Sequence, residues 1–328
     1  MDVLPLRSGD SGPAVRDLQQ RLTALGLDTS VEPQGAFGAV TAAAVRSFQA
    51  QRGLPASGEC DVSTWTAVVE AGYRSGDRLI YLKSPMTRGD DVADLQRALG
   101  TLGFDAGRVD GIFGPIGDRA LRDFQRNAGL TSDGVGGPLV MRALEQLGRP
   151  TGRHTNVAGV RERERLRAQP PRLTDCRVVI GEGGGLDVLV TAIDRGLRDS
   201  GALVAVLHHP QPSVQAVEAN DFRADVYLGL ALVDHSSCEA AYYSTPGFIS
   251  EGGRQLAQLL VAQIRSISGL DVVEPHGRWL PILRETRMPS VFCTLGPPDR
   301  VVTETAALAA AVHHALKQWV SEPIQHEP

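Results

Sequence analysis

An internal repeat in the N-terminal half limits what this chain can fold into more than any other feature of its sequence. With an offset of 77 residues, Gly12 aligns with Gly89 and Leu18-Gln19 aligns with Leu95-Gln96. After a one-residue deletion the offset is 76, and three further motifs align: Gly35-x-Phe37-Gly38 with Gly111-x-Phe113-Gly114, Phe48-Gln49 with Phe124-Gln125, and Gly58 with Gly134. We therefore predict two complete copies of one small unit, a first module at residues 1–73 and a second module at residues 78–148.

Each module carries apolar residues at helical spacing. In the first module Val15, Leu18 and Leu22 form one apolar face that ends at Gly26, as expected for a helix closed by a left-handed glycine. A second helix is expected after the Gly-x-Phe-Gly turn, and a third, short helix around Trp65. The sequence thus predicts two small all-α, three-helix modules.

The order of these motifs resembles the peptidoglycan-binding domain type 1 family, whose pattern runs G-x-x-V-x-x-L-Q-x-x-L, D-G-x-F-G, A-V-x-x-F-Q and G-L-x-x-D-G. The resemblance implies that the modules bind peptidoglycan or a lipid-linked precursor of it. It implies ligand-binding residues at the motif positions: Asp110, Gly111, Phe113, Gly114, Gln125, Asp133 and Gly134 in the second module, and Gly35, Phe37 and Gly38 in the first module.

The two modules differ at two motif positions. The first module has Gln34 and Ser57 where the second has Asp110 and Asp133. We therefore predict that the second module is the better preserved binding half. A module kept for docking onto another protein is the alternative, because a fold does not by itself define a function.

Composition excludes several other classes of protein. A net charge of -5 and 22% charged residues do not suggest a nucleic-acid binder or a disordered chain. No run approaches the roughly 20 apolar residues of a membrane span, and the first residues do not resemble a secretory leader. We expect a cytoplasmic protein that reaches membranes only through partners. The four cysteines lie far apart without CxxC spacing, and we expect four free, mostly buried thiols.

Residues 149–173 predict a linker between domains. The segment is rich in arginine and has prolines near both ends. Its alternating charges at Arg161–Arg167 suggest a short solvated helix. A basic patch that contacts an anionic partner is the alternative.

Strand-like and helical stretches alternate through residues 174–321, which predicts an α/β domain with layers and a largely parallel sheet. The strand-like runs are 177–180, 203–207, 226–232, 240–243 and 291–295, and the helical stretches are 186–199, 213–222, 251–268 and 304–320. Ligands of such domains usually bind at the carboxyl ends of the strands.

Several stretches of this domain resemble, in order, the zinc-dependent N-acetylmuramoyl-L-alanine amidases of the amidase type 3 fold. These are the first strand with Gly-Gly and Asp187, the pairs Ala219-Asn220 and Ala224-Asp225, and the block L-R-x-T-x-M-P-S-V at residues 283–291. The family's chemistry needs two histidines and a glutamate as zinc ligands, and a catalytic glutamate. Gly183, Ala231 and Thr294 stand where two of these ligands and the catalytic glutamate would be, and the segment for the third ligand is missing.

Because this sequence departs from the family's pattern at these positions, we expect a domain without catalytic residues, metal or cofactor. Set behind two peptidoglycan-binding modules, it also resembles actinobacterial cell-wall proteins, which implies partners among cell-wall synthesis proteins. We predict a non-catalytic protein that binds peptidoglycan or a precursor and regulates cell-wall synthesis. One alternative is an active amidase with relocated zinc ligands drawn from His208, His209, His235, Asp234 and Glu182. A wall-binding adaptor is a second alternative, and a small anion at Gly183–Gly185 is a further possible ligand.

Overall fold

The structure is a computed structural model that describes residues 4–147, 157–169, 172–245, 248–267 and 270–324. The chain divides into two compact units, Met1–Ala158 and Gly159–Pro328. The first unit contains both helical modules, and the second is an α/β domain with a mixed sheet. The predicted fold class is confirmed.

The first module is built on α1 (Pro13–Ala24), α2 (Ala39–Arg52) and α3 (Val62–Ala71). Their apolar faces meet in a core that includes the buried side chains of Leu18, Leu22, Val45, Phe48 and Val68. Full burial of one such side chain contributes roughly 1.5–3 kcal/mol. Gly26 follows α1 with a φ of 83°, so the predicted left-handed glycine is present.

The second module repeats this arrangement with α4 (Asp90–Thr101), α5 (Pro115–Asn127) and α6 (Pro138–Leu147). It also contains a short antiparallel pair, β1 (Thr87–Arg88) and β2 (Ile112–Phe113), which the sequence did not predict. Strands of two residues are too short to leave the alternating pattern that identifies a strand.

The second unit contains a sheet of seven strands. They are β3 (Arg177–Glu182), β4 (Leu203–His208), β5 (Val226–Leu232), β6 (Ser237–Thr245), β7 (Phe248–Ile249), β8 (His276–Arg278) and β9 (Ser290–Gly296). The strand order is β4-β3-β5-β9-β6-β7, and β8 pairs with β6. Strands β4, β3, β5 and β9 are parallel, as predicted, whereas β6 runs antiparallel to β9. The connection from β5 to β6 is too short for the crossover that a parallel strand needs, so β6 reverses direction.

The helices of this unit lie on the two faces of the sheet. They are α8 (Asp187–Asp199), α9 (Pro212–Asp221), α10 (Glu251–Ile264), α11 (Pro281–Glu285), α12 (Pro298–Thr303) and α13 (Thr305–Ser321). The main core lies between the sheet and α8, α10 and α13, and it includes Val178, Leu228, Leu260 and Trp319. Tyr227 points to the opposite face, where its hydroxyl donates to Gln215 of α9.

A further helix, α7 (Val157–Ala168), lies in the segment predicted to be a linker. The helix was predicted, but it is not simply solvated, because Leu166 is buried in the core of the second unit. Ser250 also donates to the Glu162 carboxylate. Residues 148–156 and 170–171 of the predicted linker lie outside the described residues.

All four cysteines are free and buried, as predicted. Burial, with a smaller contribution from neighbouring carboxylates, raises the pKa of the Cys60 and Cys176 thiols to about 12 and that of Cys238 to about 11. These thiols are therefore protonated near neutral pH and are poor nucleophiles and metal ligands. Within the described ranges, no helix has the length and apolarity needed to cross a bilayer.

Candidate functional site

The motif turns of the second module are held by two buried glutamines. The Gln125 side-chain amide donates to the Asp133 carboxylate at 2.8 Å and to the Val135 carbonyl, and its oxygen accepts from the Gly134 N–H at 2.9 Å. Gln96 of α4 binds the other turn in the same way, with the Asp110 carboxylate and the Gly111 N–H as partners. Each turn is thus fastened to a helix by one side-chain amide.

The first module has the same arrangement with hydroxyl groups in place of the aspartates. Gln49 donates to the hydroxyls of Ser57 and Thr64 and accepts from the Gly58 N–H. Gln19 accepts from the Gly35 N–H and donates to the Thr41 hydroxyl. Ser57 therefore takes the hydrogen-bonding role of Asp133.

Glu32 adds a carboxylate to the turn of the first module. Its carboxylate accepts from the N–H groups of Gly38, Val40 and Thr41 and from the Thr41 hydroxyl, and so caps the start of α2. Burial raises the pKa of Glu32, but these hydrogen bonds outweigh it and the pKa is lowered overall. Glu32 is not recognisable as a turn residue from the sequence, because its partners lie at a helix start six to nine residues away.

The predicted ligand-binding residues occupy very different environments. Phe37, Phe113, Gln125 and the glycines at 35, 111 and 134 are buried, whereas Gly38, Asp110 and Gly114 are half-buried and Asp133 is exposed. In the structure these residues form the core and the turns of the modules. Their role in ligand binding stays a prediction, and it depends on the exposed edges of the turns. The sequence did not identify Gln19, Gln49 and Gln96 as residues that bind the turns. A glutamine nevertheless follows the leucine or phenylalanine of the helix motif in each case, as Gln125 does.

A groove of about 360 Å³ opens in the first unit beside α4 and α6. Its apolar lining comes from Leu95, Ala98, Met141 and Leu144, and its polar lining comes from Ser75, Asp94, Arg97, Thr101 and Glu145. This volume is within the range of small-ligand sites, and an apolar floor with a polar rim suits a ligand that has both characters. This surface was not predicted from the sequence.

The first module has bulkier residues at two positions that line this groove. By the repeat alignment, Arg21 corresponds to Ala98 and Trp65 corresponds to Met141. The Arg21 guanidinium lies over the Trp65 ring, 5.8 Å from its centroid. The first module therefore carries larger side chains at the positions of Ala98 and Met141.

In the second unit, the positions of the family's active-site residues lie at the carboxyl edge of the sheet. Ala231 of β5 and Thr294 of β9 are register neighbours on parallel strands. Gly183 lies in the exposed loop after β3. A zinc ion needs imidazole, thiolate or carboxylate ligands, so Gly183 and Ala231 do not fit the family's zinc site. Thr294 has no carboxylate to transfer a proton.

One carboxylate lies directly beside the position of the family's catalytic glutamate. Glu239 of β6 is the register neighbour of Thr294 on the other side of β9. The Arg278 guanidinium donates to the Glu239 carboxylate at 3.3 Å, and His276 Nε2 lies 3.8 Å from it. Sequence reasoning missed Glu239, because only the pairing of β6 with β9 brings it to this place.

The residues considered for a relocated metal site are only partly brought together. Within the described part of the chain, one group of at least three potential ligands is assembled, and it contains Glu182, Asp187 and His208. His209, His235 and Asp234 do not belong to it. The Gly184 N–H, a candidate donor to a bound anion, instead donates to the Glu182 carboxylate at 2.7 Å.

Two of the motifs that carry the amidase resemblance in this domain, the pairs ending in Asn220 and Asp225, make structural hydrogen bonds. The Asn220 side chain donates to the Glu285 carbonyl and accepts from the Arg287 N–H, which ties α9 to the segment after α11. The Asp225 carboxylate accepts from the Arg177 N–H at the start of β3. These contacts connect neighbouring elements of the fold.

Comparison with known proteins agrees with the repeat. The family model of the peptidoglycan binding domain matches residues 11–68 and 88–144, which confirms the tandem modules. The chain is thus a peptidoglycan-related, amidase-like protein. It is 34% identical to the N-acetylmuramoyl-L-alanine amidase CwlM of Mycobacterium tuberculosis, over 95% of this chain and 89% of that protein. The chain belongs to the CwlM family.

More distant relatives cover less of the chain. The N-acetylmuramoyl-L-alanine amidase CwlL of Bacillus licheniformis is 32% identical over 43% of this chain and 45% of that protein. Among solved structures, the N-acetylmuramyl-L-alanine amidase Ami1 of Mycobacterium smegmatis is 12% identical, with a TM-score of 0.40. That match covers 45% of this chain and 98% of the Ami1 chain.

Proposed function

We propose that this chain is a non-catalytic regulator of cell-wall synthesis, which binds peptidoglycan or its lipid-linked precursor through its N-terminal modules. The observation that carries the proposal is the set of residues at the family's active-site positions, Gly183, Ala231 and Thr294. None of these three side chains can bind zinc or transfer a proton as a carboxylate does. Glu239, the register neighbour of Thr294 on β6, accepts a hydrogen bond from the Arg278 guanidinium.

Polymer or precursor binding is assigned to the second module, in the groove beside α4 and α6. Gln96 fastens α4 to the Asp110–Gly111 turn, and Gln125 fastens α5 to the Asp133–Gly134 turn. The turn residues would then act by holding the groove in shape, with the exposed Asp133 edge as an additional contact. The N-acetyl group of a wall disaccharide, or a short peptide stem, has both polar and apolar parts. The groove lining offers both kinds of contact.

The proposed partners of the second unit are cell-wall synthesis proteins, and the proposed location is the cytoplasm, with membrane association through those partners. A domain that keeps the architecture of an enzyme without its reacting groups can still present a binding surface, because function depends on the site and not on the fold. Fractionation of cells, followed by affinity capture with the full chain, tests both statements. Recovery of the chain with the extracellular wall alone would refute them.

The decisive experiment measures binding and cleavage on the same sample. Purified full-length protein is incubated with sacculi, and both sedimentation of the protein and release of muropeptides are followed. We expect sedimentation without cleavage of the bond between muramic acid and the peptide. Release of peptides at a catalytic rate would establish the amidase alternative in place of this proposal.

The groove is tested by giving it the side chain that the first module carries. Ala98→Arg introduces the equivalent of Arg21, which the same fold accommodates in the first module. We expect sacculus affinity to fall at least about tenfold, because the new side chain fills a site of this size. Gln146→Arg is the matched control, since Gln146 is exposed at the end of α6 and does not line the groove. Equal affinity of both variants would place the ligand elsewhere on the modules.

A further inference from the structure

Residues 81–86 of the second module form a loop in which every residue is exposed. Tyr81, Leu82 and Met86 are 43%, 42% and 43% exposed, and Leu79, just before the loop, is 54% exposed. Single exposed apolar residues are ordinary on protein surfaces, but a cluster of them marks a surface that binds something. We call these four side chains the apolar loop surface.

The loop is anchored at both ends of its base. Before it, the buried Ile80 exchanges two backbone hydrogen bonds with Gly136, at 3.1 and 2.7 Å. After it, β1 pairs with β2, and the buried Thr87 hydroxyl donates to the Tyr81 carbonyl at 3.3 Å. The apolar side chains between these anchors are therefore held exposed by the fold of the module.

The first module has a polar segment at the same place. Leu6 pairs with the segment before α3 just as Ile80 pairs with the segment before α6. From there to the glycine before the next helix, the first module has residues 7–11, Arg-Ser-Gly-Asp-Ser, and the second has residues 81–88, Tyr-Leu-Lys-Ser-Pro-Met-Thr-Arg. Since the same fold closes with a shorter, polar segment, the apolar loop surface is not needed to build the module.

The charge of this segment favours an anionic partner. Residues 79–88 contain two basic residues and no acidic residue. Lys83 is exposed, and its ammonium group lies 5.8 Å from the centroid of the Tyr81 ring. The carboxylates that follow, Asp90 and Asp91, each form an ion pair with an arginine. The loop therefore presents apolar surface together with positive charge, which attracts negatively charged partners.

This charge also favours a lipid bilayer over a second copy of the chain. In a symmetric dimer the same surface faces itself, so the two copies of Lys83 would approach each other. A leaflet that contains anionic lipid offers negative charge to the lysine and an apolar interior to the leucines and the methionine. Tyrosine and lysine suit the boundary between headgroups and acyl chains, because each has an apolar body and a polar end.

We propose that residues 79–86 dock the second module onto the surface of a bilayer that contains anionic phospholipid. Leu79, Leu82 and Met86 would enter the boundary between headgroups and acyl chains, while Lys83 contacts the headgroups. This direct contact is additional to membrane association through partners. It would also bring the groove of the same module to lipid-linked precursors, a consequence that rests on the proposed function, whereas the membrane contact itself does not.

Purified full-length protein and lipid vesicles test the contact with no other protein present. Cosedimentation is measured with phosphatidylcholine vesicles that contain or lack phosphatidylglycerol. We expect binding to the anionic vesicles, and we expect it to weaken as salt is raised. The double variant Leu82→Gln, Met86→Gln should lower the affinity at least about tenfold, because it removes apolar area that the bilayer buries. Lys83→Gln should lower it about fivefold on anionic vesicles only.

Leu203→Gln is the matched control, because Leu203 is 53% exposed but lies on the edge strand β4 of the second unit. It should bind vesicles like the wild type. Circular dichroism checks that all variants fold, which their exposed positions favour. Tyr81→Trp provides a second readout, since brominated phosphatidylcholine should quench the fluorescence that this variant adds to that of the wild type.

The proposal is overturned if the wild type does not bind anionic vesicles, if Leu203→Gln loses as much affinity as the double variant, or if the added fluorescence is not quenched. It is also overturned if the double variant abolishes a dimer seen by sedimentation equilibrium, which would assign the surface to a second copy. A loss of sacculus sedimentation in the double variant would assign it to the polymer instead. Because vesicles and sacculi are measured separately, failure of vesicle binding leaves the proposed function standing.

Discussion

The two modules fold alike but complete their turns with different chemistry. In the second module, the glutamine amides of Gln96 and Gln125 meet the carboxylates of Asp110 and Asp133. In the first, they meet the hydroxyls of Thr41 and Ser57. In both modules the glutamine oxygen accepts a glycine N–H from the turn.

The difference shows what the Asp-Gly motif does in this fold. A carboxylate and a hydroxyl can each accept the glutamine amide proton, so both close the turn. The absence of aspartate from the first module therefore does not require loss of a ligand. The larger distinction between the modules is steric, because Arg21 and Trp65 take the place of the Ala98 and Met141 that line the groove.

The largest effect is expected from removing a turn-binding glutamine. Gln125→Ala deletes three hydrogen bonds and leaves the buried Gly134 N–H without a partner. We expect the second module to lose about 3 kcal/mol of opening free energy, since each unsatisfied buried group costs roughly 1–3 kcal/mol. Gln49→Ala should cost the first module a similar amount. Peptide-resolved hydrogen exchange of the full chain reports each module separately.

Gln51→Ala is the control for these variants. Gln51 lies two positions from Gln49 on α2 and is exposed, so its loss should change stability by less than about 0.5 kcal/mol. If Gln125→Ala reduced protection equally in both modules, they would form one cooperative unit and the comparison between them would fail. If Gln49→Ala had a far smaller effect than Gln125→Ala, the two sets of hydrogen bonds would not be equivalent.

The architecture was largely predictable because it depends on local patterns. The repeat offset, the helix-closing glycine at 26 and the strand runs of the second unit are all present. The long helix predicted over 251–268 ends earlier, at Ile264, and residue 268 lies outside the described residues. The direction of β6 was missed because strand pairing depends on the whole topology and not on the pattern within one strand.

The candidate sites were less predictable, because their geometry depends on contacts between distant elements. The sequence pointed to Asp110, Asp133 and Gln125 but not to Gln96, and it did not show that Gln96 and Gln125 bind the two aspartates. The groove depends on the small side chain of Ala98. The importance of this residue becomes clear only when it is compared with Arg21, the aligned residue of the first module. A comparison of side-chain sizes between the two modules could have found it.

A smaller effect is expected at the turn glycines, where two causes of strain can be separated. Gly134 has a φ of 73°, and a Cβ there would collide with Asp118 and Arg122. Gly129 has nearly the same φ, 70°, but open space around it. Gly129→Ala should therefore cost only the left-handed backbone, about 1–2 kcal/mol, and Gly134→Ala should cost more. Hydrogen exchange of the second module measures both.

Gly58→Ala extends this test to the first module. Its φ is 81°, and the side chain that a Cβ would meet is that of Arg46. Because this long side chain can move aside, we expect a loss between those of Gly129→Ala and Gly134→Ala. A larger loss than that of Gly134→Ala would show that Arg46 is held in place and that the first module's turn is the more constrained one.

The smallest expected effect is a difference in acid sensitivity between the turns that contain Asp133 and Ser57. The pKa of Asp133 is lowered because the Val135 N–H and then the Gln125 amide donate to its carboxylate. A carboxyl with a lowered folded-state pKa stabilises above its unfolded pKa, about 3.9, and this contribution is lost as the pH falls through the folded-state value. Ser57 carries no charge, so its turn lacks this dependence.

Asp133→Ser should therefore make the second module less acid-sensitive, and Ser57→Asp should make the first module more so. Hydrogen exchange, corrected for the intrinsic rate, is compared between about pH 7 and about pH 3. Glu32 also has a lowered pKa, because its hydrogen bonds outweigh the effect of its burial. The start of α2 in the first module is therefore acid-sensitive both in the wild type and in Ser57→Asp. Glu32→Gln removes that background. If Asp133→Ser and the wild type lost protection equally on acidification, the carboxylate would contribute no more to its turn than the hydroxyl does.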